Sequence, residues 1–312
     1  PPQRGFITDH FNNVLADNDR VFQVHLDLDQ IQDFNDIVFK LKNILELSNN
    51  ELKKIYREKE RLKPWDTLVA SDNLSWTQFS KLNLYLHELE GVKPVVSSSR
   101  FYPYKDDLVH VVGYVGAASQ KDIERDDIIK ENLVPGLKVG KSGIEFAKEH
   151  QLIGRYGIKR YEVNSSGKRI SQIDHIKETQ GEKIKLTVDL EVQQLAQELL
   201  KGKAGSISAM DIYTGEIIAM ASSPTYDPNK FTHGIGHKDW GEIRDDPLKP
   251  LVNKSIAGLY SPGSTFKPLV ALAALEFGTI DPERPILCKG HKHPYELYGV
   301  KYHCWKKNGH GY

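Results

Sequence analysis

Seven consecutive apolar residues, L-V-A-L-A-A-L from Leu269 to Leu275, lie between a Pro262-Gly263 turn and Gly278. A helix that is apolar on every side has to be wrapped by other elements, so this run predicts a helix carried into a core. Pro268 locates its beginning. Proline breaks a helix interior but fits the first turn, where amide hydrogens have no intrahelical partner. The helix therefore opens near Ser264, just after Gly263, and Gly278 ends it. Lys267 then lies one turn on, on the same face, because residues three apart are helix neighbours.

That pair admits two readings. A serine hydroxyl is a weak nucleophile until a base takes its proton. Lysine can be that base when burial and neighbouring groups bring its pKa toward neutrality, and the helix N-terminus adds a positive field that favours an alkoxide. The plainer reading is an N-capping serine followed by a solvated lysine. S-x-x-K alone is too common to separate the two. Ser261 has no lysine at that spacing and is assigned no role.

A chain of 312 residues exceeds one ordinary core and predicts two domains. Lysine plus arginine and aspartate plus glutamate both number 42, for a formal net charge of zero. That balance gives no electrostatic footprint for nucleic acid. No segment is long and apolar enough to cross a bilayer. The chain opens on Pro1-Pro2 with neither a methionine nor a signal peptide, so a single N-terminal anchor upstream is expected.

Composition shifts near residue 178. The first residues read as two strands around a turn at Asn12-Asn13. From about Asp27 to Gly91 the periodicity is helical, as in D-F-N-D-I-V-F-K-L-K-N-I-L and W-T-Q-F-S-K-L-N-L-Y-L-H-E-L. A helical insertion in a strand-rich region is expected. Strand signals return at V-K-P-V-V-S-S-S-R-F-Y-P and V-H-V-V-G-Y-V-G. The stretch G-L-K-V-G-K-S-G imitates a phosphate-binding loop, but Pro135 stands where its first glycine belongs and no apolar helix follows. A turn-rich docking segment is the better reading. Later, T-V-D-L-E-V-Q-Q-L-A-Q-E-L-L-K-G predicts a helix capped by Asp189 and stopped at Gly202. The alternating runs around I-Y-T-G predict a β-hairpin, and S-P-T-Y-D-P-N predicts a loop.

This order of helix, hairpin, S-P-T-Y-D-P-N loop and N-K-S-I-A-G-L-Y-S-P-G-S-T-F-K-P resembles the transpeptidase domain of class B penicillin-binding proteins. P-P-Q-R-G-F-I-T-D, Y-P-Y-K-D-D-L-V-H-V-V-G-Y-V-G, V-G-K-S-G-I-E and Y-E-V-N-S-S-G-K are similar to the family's non-catalytic pedestal. The helical insertion and H-C-W-K-K-N-G-H-G are most similar to its elongation-type members. The resemblance implies an α+β fold: an elongated, strand-rich pedestal of the dimerisation type over residues 1–178, with its insertion at about 27–91. Residues 179–312 would be the N-terminal part of a transpeptidase domain, an antiparallel sheet with helices.

For the site, the resemblance implies Ser264 as acylated nucleophile, Lys267 as its base, and the Ser264 N–H as half of an oxyanion hole. Asp227 and Asn229 would hold the site's edge. The reaction implied is cross-linking of peptidoglycan stem peptides, with no cofactor required and with β-lactam antibiotics acylating the same serine. Partners implied are the membrane glycosyltransferase and scaffold proteins of the elongation complex, at the periplasmic face of the bacterial inner membrane. The family's second serine motif and its K-T-G motif do not follow Ser264, so this polypeptide is expected to be cut within the catalytic domain and inactive alone. Two rivals remain. One is a serine carboxypeptidase or β-lactam hydrolase, against which the large first domain argues; the other is a non-catalytic fragment that docks on elongation partners.

Cys288, Cys304 and His310 are spaced C-x15-C-x5-H, with His291, His293 and His303 nearby. Thiolates and imidazoles in loops suit tetrahedral zinc. A Cys288–Cys304 disulfide and unpaired buried thiols are the alternatives. The resemblance implies a structural zinc on Cys288, Cys304 and His310, with its fourth ligand beyond Tyr312.

Overall fold

The structure, a computed structural model, describes residues 2–64, 66–134, 136–163 and 169–312. Pro135 and residues 164–168, the end of Y-E-V-N-S-S-G-K, lie outside the described residues. Pro1–Gly258 and Leu259–Tyr312 form two compact units.

In the first unit, β1 (Ile7–Thr8) leads through a turn to β2 (Val14–Asp27). Asn12 takes the left-handed conformation there, with φ of 70°. The Asp9 carboxylate secures the turn, accepting from Asn13 N at 2.7 Å and Asn13 Nδ2 at 2.9 Å. The long β2 pairs antiparallel with β1, with β3 (Thr67–Leu74) and with β4 (Val92–Phe101). Between β2 and β4 lie α1 (Phe34–Leu45), α2 (Asn49–Lys59) and α3 (Trp76–Leu84). Asp33 caps α1, and Ser48 and Ser75 open capping boxes with Glu51 and Gln78. The helices press Leu41, Leu45, Ile55 and Leu82 onto Val24, Leu26 and Leu68 of the strands.

Two expectations change here. The insertion is not wholly helical: T-L-V-A-S-D-N-L forms β3, because alternation puts Leu68, Ala70 and Leu74 into the core. Nor is V-H-V-V-G-Y-V-G one strand. Val109–Val112 makes a helical turn, α4, and Val115–Ala117 makes β5. Gly113 separates them at φ 82°, and a Cβ there would lie 1.8 Å from the Ser142 carbonyl oxygen. Only glycine fits such a position.

Short helices α5 (Gln120–Arg125) and α6 (Asp127–Glu131) precede β6 (Lys138–Gly140), which pairs with β5. The turn-rich reading of 136–143 agrees with the short elements found there, since α7 (Gly143–Ala147) and α8 (Glu149–Leu152) are single turns. A hairpin of β7 (Ile158–Val163) and β8 (Arg169–Ile176) leads to β9 (Ile184–Lys185), which runs parallel to β1. The sheet therefore runs past residue 178, and Val188 and Leu190 join the second core with Ile7, Leu15, Tyr102 and Leu152.

Beyond it, α9 (Leu190–Leu199) begins at Asp189, whose carboxylate accepts from the amides of Glu191 and Val192. Gly202 comes after it at φ 74°. The expected hairpin is β10 (Gly205–Met210) with β11 (Ile217–Ser223), and Ala196 and Leu200 of the α9 end pack on Ala221. Helices α10 (Asn229–Thr232), α11 (His237–Asp245) and α12 (Lys254–Ala257) complete the unit.

His110 of α4 meets the edge of the Tyr226 ring at 5.8 Å. Burial holds its imidazole neutral, down to about 4, with Lys254 acting in the same direction against the carbonyls of Pro224 and Pro250. The folded-state pKa is below the unfolded one. His110 therefore leaves stability intact above pH 6.5 and removes it as pH falls toward 4, where the unfolded chain binds the proton first. The expected loss is about 3 kcal/mol by pH 4. Urea midpoints between pH 7 and pH 4 check this: His110→Phe is expected to flatten the decline, and an equally steep decline refutes it.

The second unit holds a 3₁₀ turn at Gly263–Phe266, α13 (Lys267–Glu276), and a hairpin of β12 (Tyr295–Leu297) with β13 (Val300–Tyr302). The apolar helix forms where expected but is not buried. Leu269, Val270 and Leu272 are 57%, 53% and 64% exposed. A segment this short cannot wrap a helix that is apolar all round, and its own hairpin also leaves Tyr295 and Val300 exposed.

Candidate active site and metal centre

Local chemistry sets the mouth of α13. Gly263 turns the chain at φ 55°, in the left-handed region. Thr265 then closes on Pro262, its amide at 3.3 Å from the Pro262 carbonyl oxygen and its hydroxyl donating to the same oxygen. Ser264 sits in the 3₁₀ turn, and its carbonyl accepts from the Lys267 amide. Pro268 falls in the first turn of α13, as its missing donor requires. The N-cap is Phe266, and no side chain caps either element. Ser264 therefore does not spend its hydroxyl on a cap, which is the role the plainer reading gave it. Ser264 and Lys267 are both exposed, and no hydrogen bond joins their side chains among the described residues.

In the first unit, Asn229 clamps the S-P-T-Y-D-P-N loop to the end of β4. Its Oδ1 accepts from the Tyr102 amide at 2.9 Å and its Nδ2 donates to the Tyr102 carbonyl at 3.0 Å. The Asp227 carboxylate accepts from both the amide and Nδ2 of Asn229 at 2.9 Å. Both residues act structurally here.

Sequence reading missed a buried ion cluster. Glu145, wholly buried, accepts from Arg4 Nε at 2.6 Å and Arg100 Nε at 2.5 Å. Glu149 accepts from Arg4 at 2.5 Å and from the Gly140 amide at 2.8 Å. The Tyr102 hydroxyl lies 3.3 Å from Glu145 and accepts from the Val115 amide. The only signals were Arg4 in P-P-Q-R-G-F and Glu145 in V-G-K-S-G-I-E. Nothing local tells that residues so far apart meet.

The three metal-candidate residues converge. Cys288 Sγ and Cys304 Sγ lie 3.6 and 3.4 Å from His310 Nδ1. All three donor atoms fall within 4.8 Å of one another. An antiparallel bridge between Cys288 and Gly311 brings the loop ends together. His310, with backbone amides of His310 and Gly290, holds the Cys288 thiol down to about 6, toward the thiolate a metal needs. Both cysteines are free, so the disulfide is not formed. Zinc bonds of about 2.0–2.3 Å in a tetrahedron place its ligand atoms about 3.4–3.8 Å apart. The thiol–imidazole distances fit that shape.

A family model of the penicillin-binding protein dimerisation domain matches residues 1–186, and one of the penicillin-binding protein transpeptidase domain matches residues 205–312. The chain belongs to the penicillin-binding proteins. The peptidoglycan D,D-transpeptidases MrdA of Acinetobacter baumannii and Escherichia coli K12 are each 33% identical to it. Those matches cover 100% and 99% of this chain but 46% and 49% of the relatives. The chain thus spans about half the length of the curated relatives it matches. Among solved penicillin-binding protein structures, Helicobacter pylori PBP2 in complex with MreC superposes with a TM-score of 0.82 at 29% identity, over 99% of this chain and 57% of that one. Pseudomonas aeruginosa PBP2 in complex with WCK 5153 gives 0.61 at 27% identity, over 100% and 48%.

Proposed function

We propose that this penicillin-binding protein chain carries the nucleophile of an elongation-type peptidoglycan DD-transpeptidase. The observation that carries the reading is S-T-F-K at the mouth of an apolar helix within a transpeptidase-family match. Ser264 attacks the carbonyl carbon of the penultimate D-alanine while its proton passes to the Lys267 amine. The Ser264 N–H, among first-turn amides without a helical partner, faces the oxygen that becomes negative. As the C–N bond breaks, Lys267 returns the proton to the departing D-alanine amine. The amine of a second stem peptide then resolves the ester. Because Ser264 and Lys267 are exposed, the dry surroundings a lysine base needs have to come from groups that close over the helix mouth, substrate included.

In this reading residues 1–178 are the pedestal and residues 179–312 begin the catalytic domain, with β9 stitching the second stretch to the first. Membrane scaffold and glycosyltransferase proteins are the partners proposed, at the periplasmic face of the inner membrane. A labelled penicillin, incubated with the full-length protein and mapped by mass spectrometry, tests the assignment: the label belongs on the peptide holding Ser264.

Cys288, Cys304 and His310 are proposed to hold a structural zinc, which would cross-link the loops on either side of β12 and β13. Full-length protein purified without chelator is expected to contain about one equivalent of zinc. Cys304→Ser is expected to lower that content and the thermal midpoint together. Less than a tenth of an equivalent in the parent ends the zinc reading.

A further inference from the structure

His291 and His303 stand beside the cysteine cluster, and neither acyl transfer nor the structural zinc uses them. Their ring centroids lie 4.6 Å apart with planes inclined by 31°. His291 Nδ1 lies 3.0 Å from the Cys304 carbonyl oxygen, and His303 Nδ1 lies 3.0 Å from the His291 carbonyl oxygen. A carbonyl can only accept, so each Nδ1 carries a hydrogen, and in the neutral ring the lone pair is left on Nε2. Metal-binding histidines are oriented in this way, with the second ring nitrogen tied to a backbone carbonyl.

The spacing also fits. With metal–nitrogen bonds of about 2.1 Å, an ion sits about 3.2 Å from each ring centroid, and two imidazoles bound cis to one octahedral or square-planar ion have centroids about 4.6 Å apart. The β12–β13 pairing, Tyr295 opposite Tyr302, fixes the register that brings the two histidines together. Both side chains are exposed and open to an incoming ion. Two imidazoles without a carboxylate suit borderline transition metals and not Mg²⁺ or Ca²⁺.

We propose that His291 and His303 form a second metal site, binding one imidazole-seeking divalent ion through both Nε2 atoms with water completing its shell. Nickel is the probe. Full-length protein first given one equivalent of zinc is dialysed against Ni²⁺, and both metals are counted. The expected result is one bound nickel per chain, unaffected by excess Mg²⁺, with His291 and His303 both protected from carbethoxylation. His291→Ala/His303→Ala is expected to weaken nickel binding at least about tenfold; its zinc content and far-ultraviolet spectrum report whether it is folded. Single His303→Asn, which keeps a polar side chain on the hairpin, is expected to weaken it in the same direction. Nickel binding unchanged in the double variant, or none in the parent, overturns the proposal, as does a nickel–thiolate charge-transfer band placing the ion on Cys288 and Cys304. If the zinc reading fails, the carbethoxylation readout still judges this pair separately.

Discussion

Ser264→Ala in the full-length protein is expected to abolish acylation by a labelled penicillin, and Lys267→Ala to slow it about 10²–10⁴-fold while leaving the fold intact. The two effects differ because the residues differ in kind. Without the hydroxyl there is no atom to form the ester. Without the amine the hydroxyl remains, still at the mouth of α13, but its proton has to leave to water. Both side chains are exposed and neither caps the helix, so neither replacement removes packing or a backbone hydrogen bond. Far-ultraviolet spectra and thermal midpoints are therefore expected to match the parent, which separates lost chemistry from lost structure. Labelling that survives Ser264→Ala, or a Lys267→Ala rate within a few-fold of the parent, refutes these roles.

Replacing Glu145 by glutamine is expected to cost the first unit roughly 3–5 kcal/mol, the penalty for leaving buried charge uncompensated. Burial alone would raise the Glu145 pKa, yet the guanidiniums of Arg4 and Arg100 hold it below the usual carboxylate range. Glutamine keeps the size and one acceptor but removes the charge between two buried cations, and Arg100 has a side-chain exposure of only 1%. Because its folded-state pKa is depressed, Glu145 contributes its stability above the ordinary carboxylate pKa and loses it as pH falls through the lower, folded value. Urea denaturation at neutral pH measures the cost, and a loss below about 1 kcal/mol refutes it. Repeating it in acid is expected to narrow the gap between parent and variant.

Local features were legible and long-range ones were not. Asp189, Pro268 and Gly278 punctuate their helices through chemistry within a few residues, and the β10–β11 hairpin is written in its own alternation. β3 was hidden because T-L-V-A-S-D-N-L sits between helical patterns and becomes a strand only through pairing with β2. The V-H-V-V run has strand propensity throughout, but Gly113 and the backbone of Ser142 set its path. Two cysteines among four nearby histidines made a metal cluster legible, but the choice of Cys288, Cys304 and His310 came from the family resemblance, because spacing alone does not select His310 over His291, His293 or His303. The Arg4–Glu145–Arg100 cluster was invisible because arginine and glutamate are common and usually solvated. Burial of α13 was misjudged because the apolar run states a need for partners without saying which elements supply them.

The strand β2 has a mechanical consequence. Leu15 and Ala16 at its start belong to one hydrophobic core, and Val24 and Leu26 near its end belong to another. An opening that pulls β2 out of either core is expected to disturb the other, since the fourteen residues of β2 form one continuous strand. The inserted helices and the core around Leu15 and Ala16 should therefore open as one cooperative unit. Amide hydrogens at Leu15 and at Val24 would then exchange with a common opening free energy. The inserted helices, although placed between β2 and β4, become a transmitter: whatever grips them is felt along β2 in the core around Leu15 and Ala16.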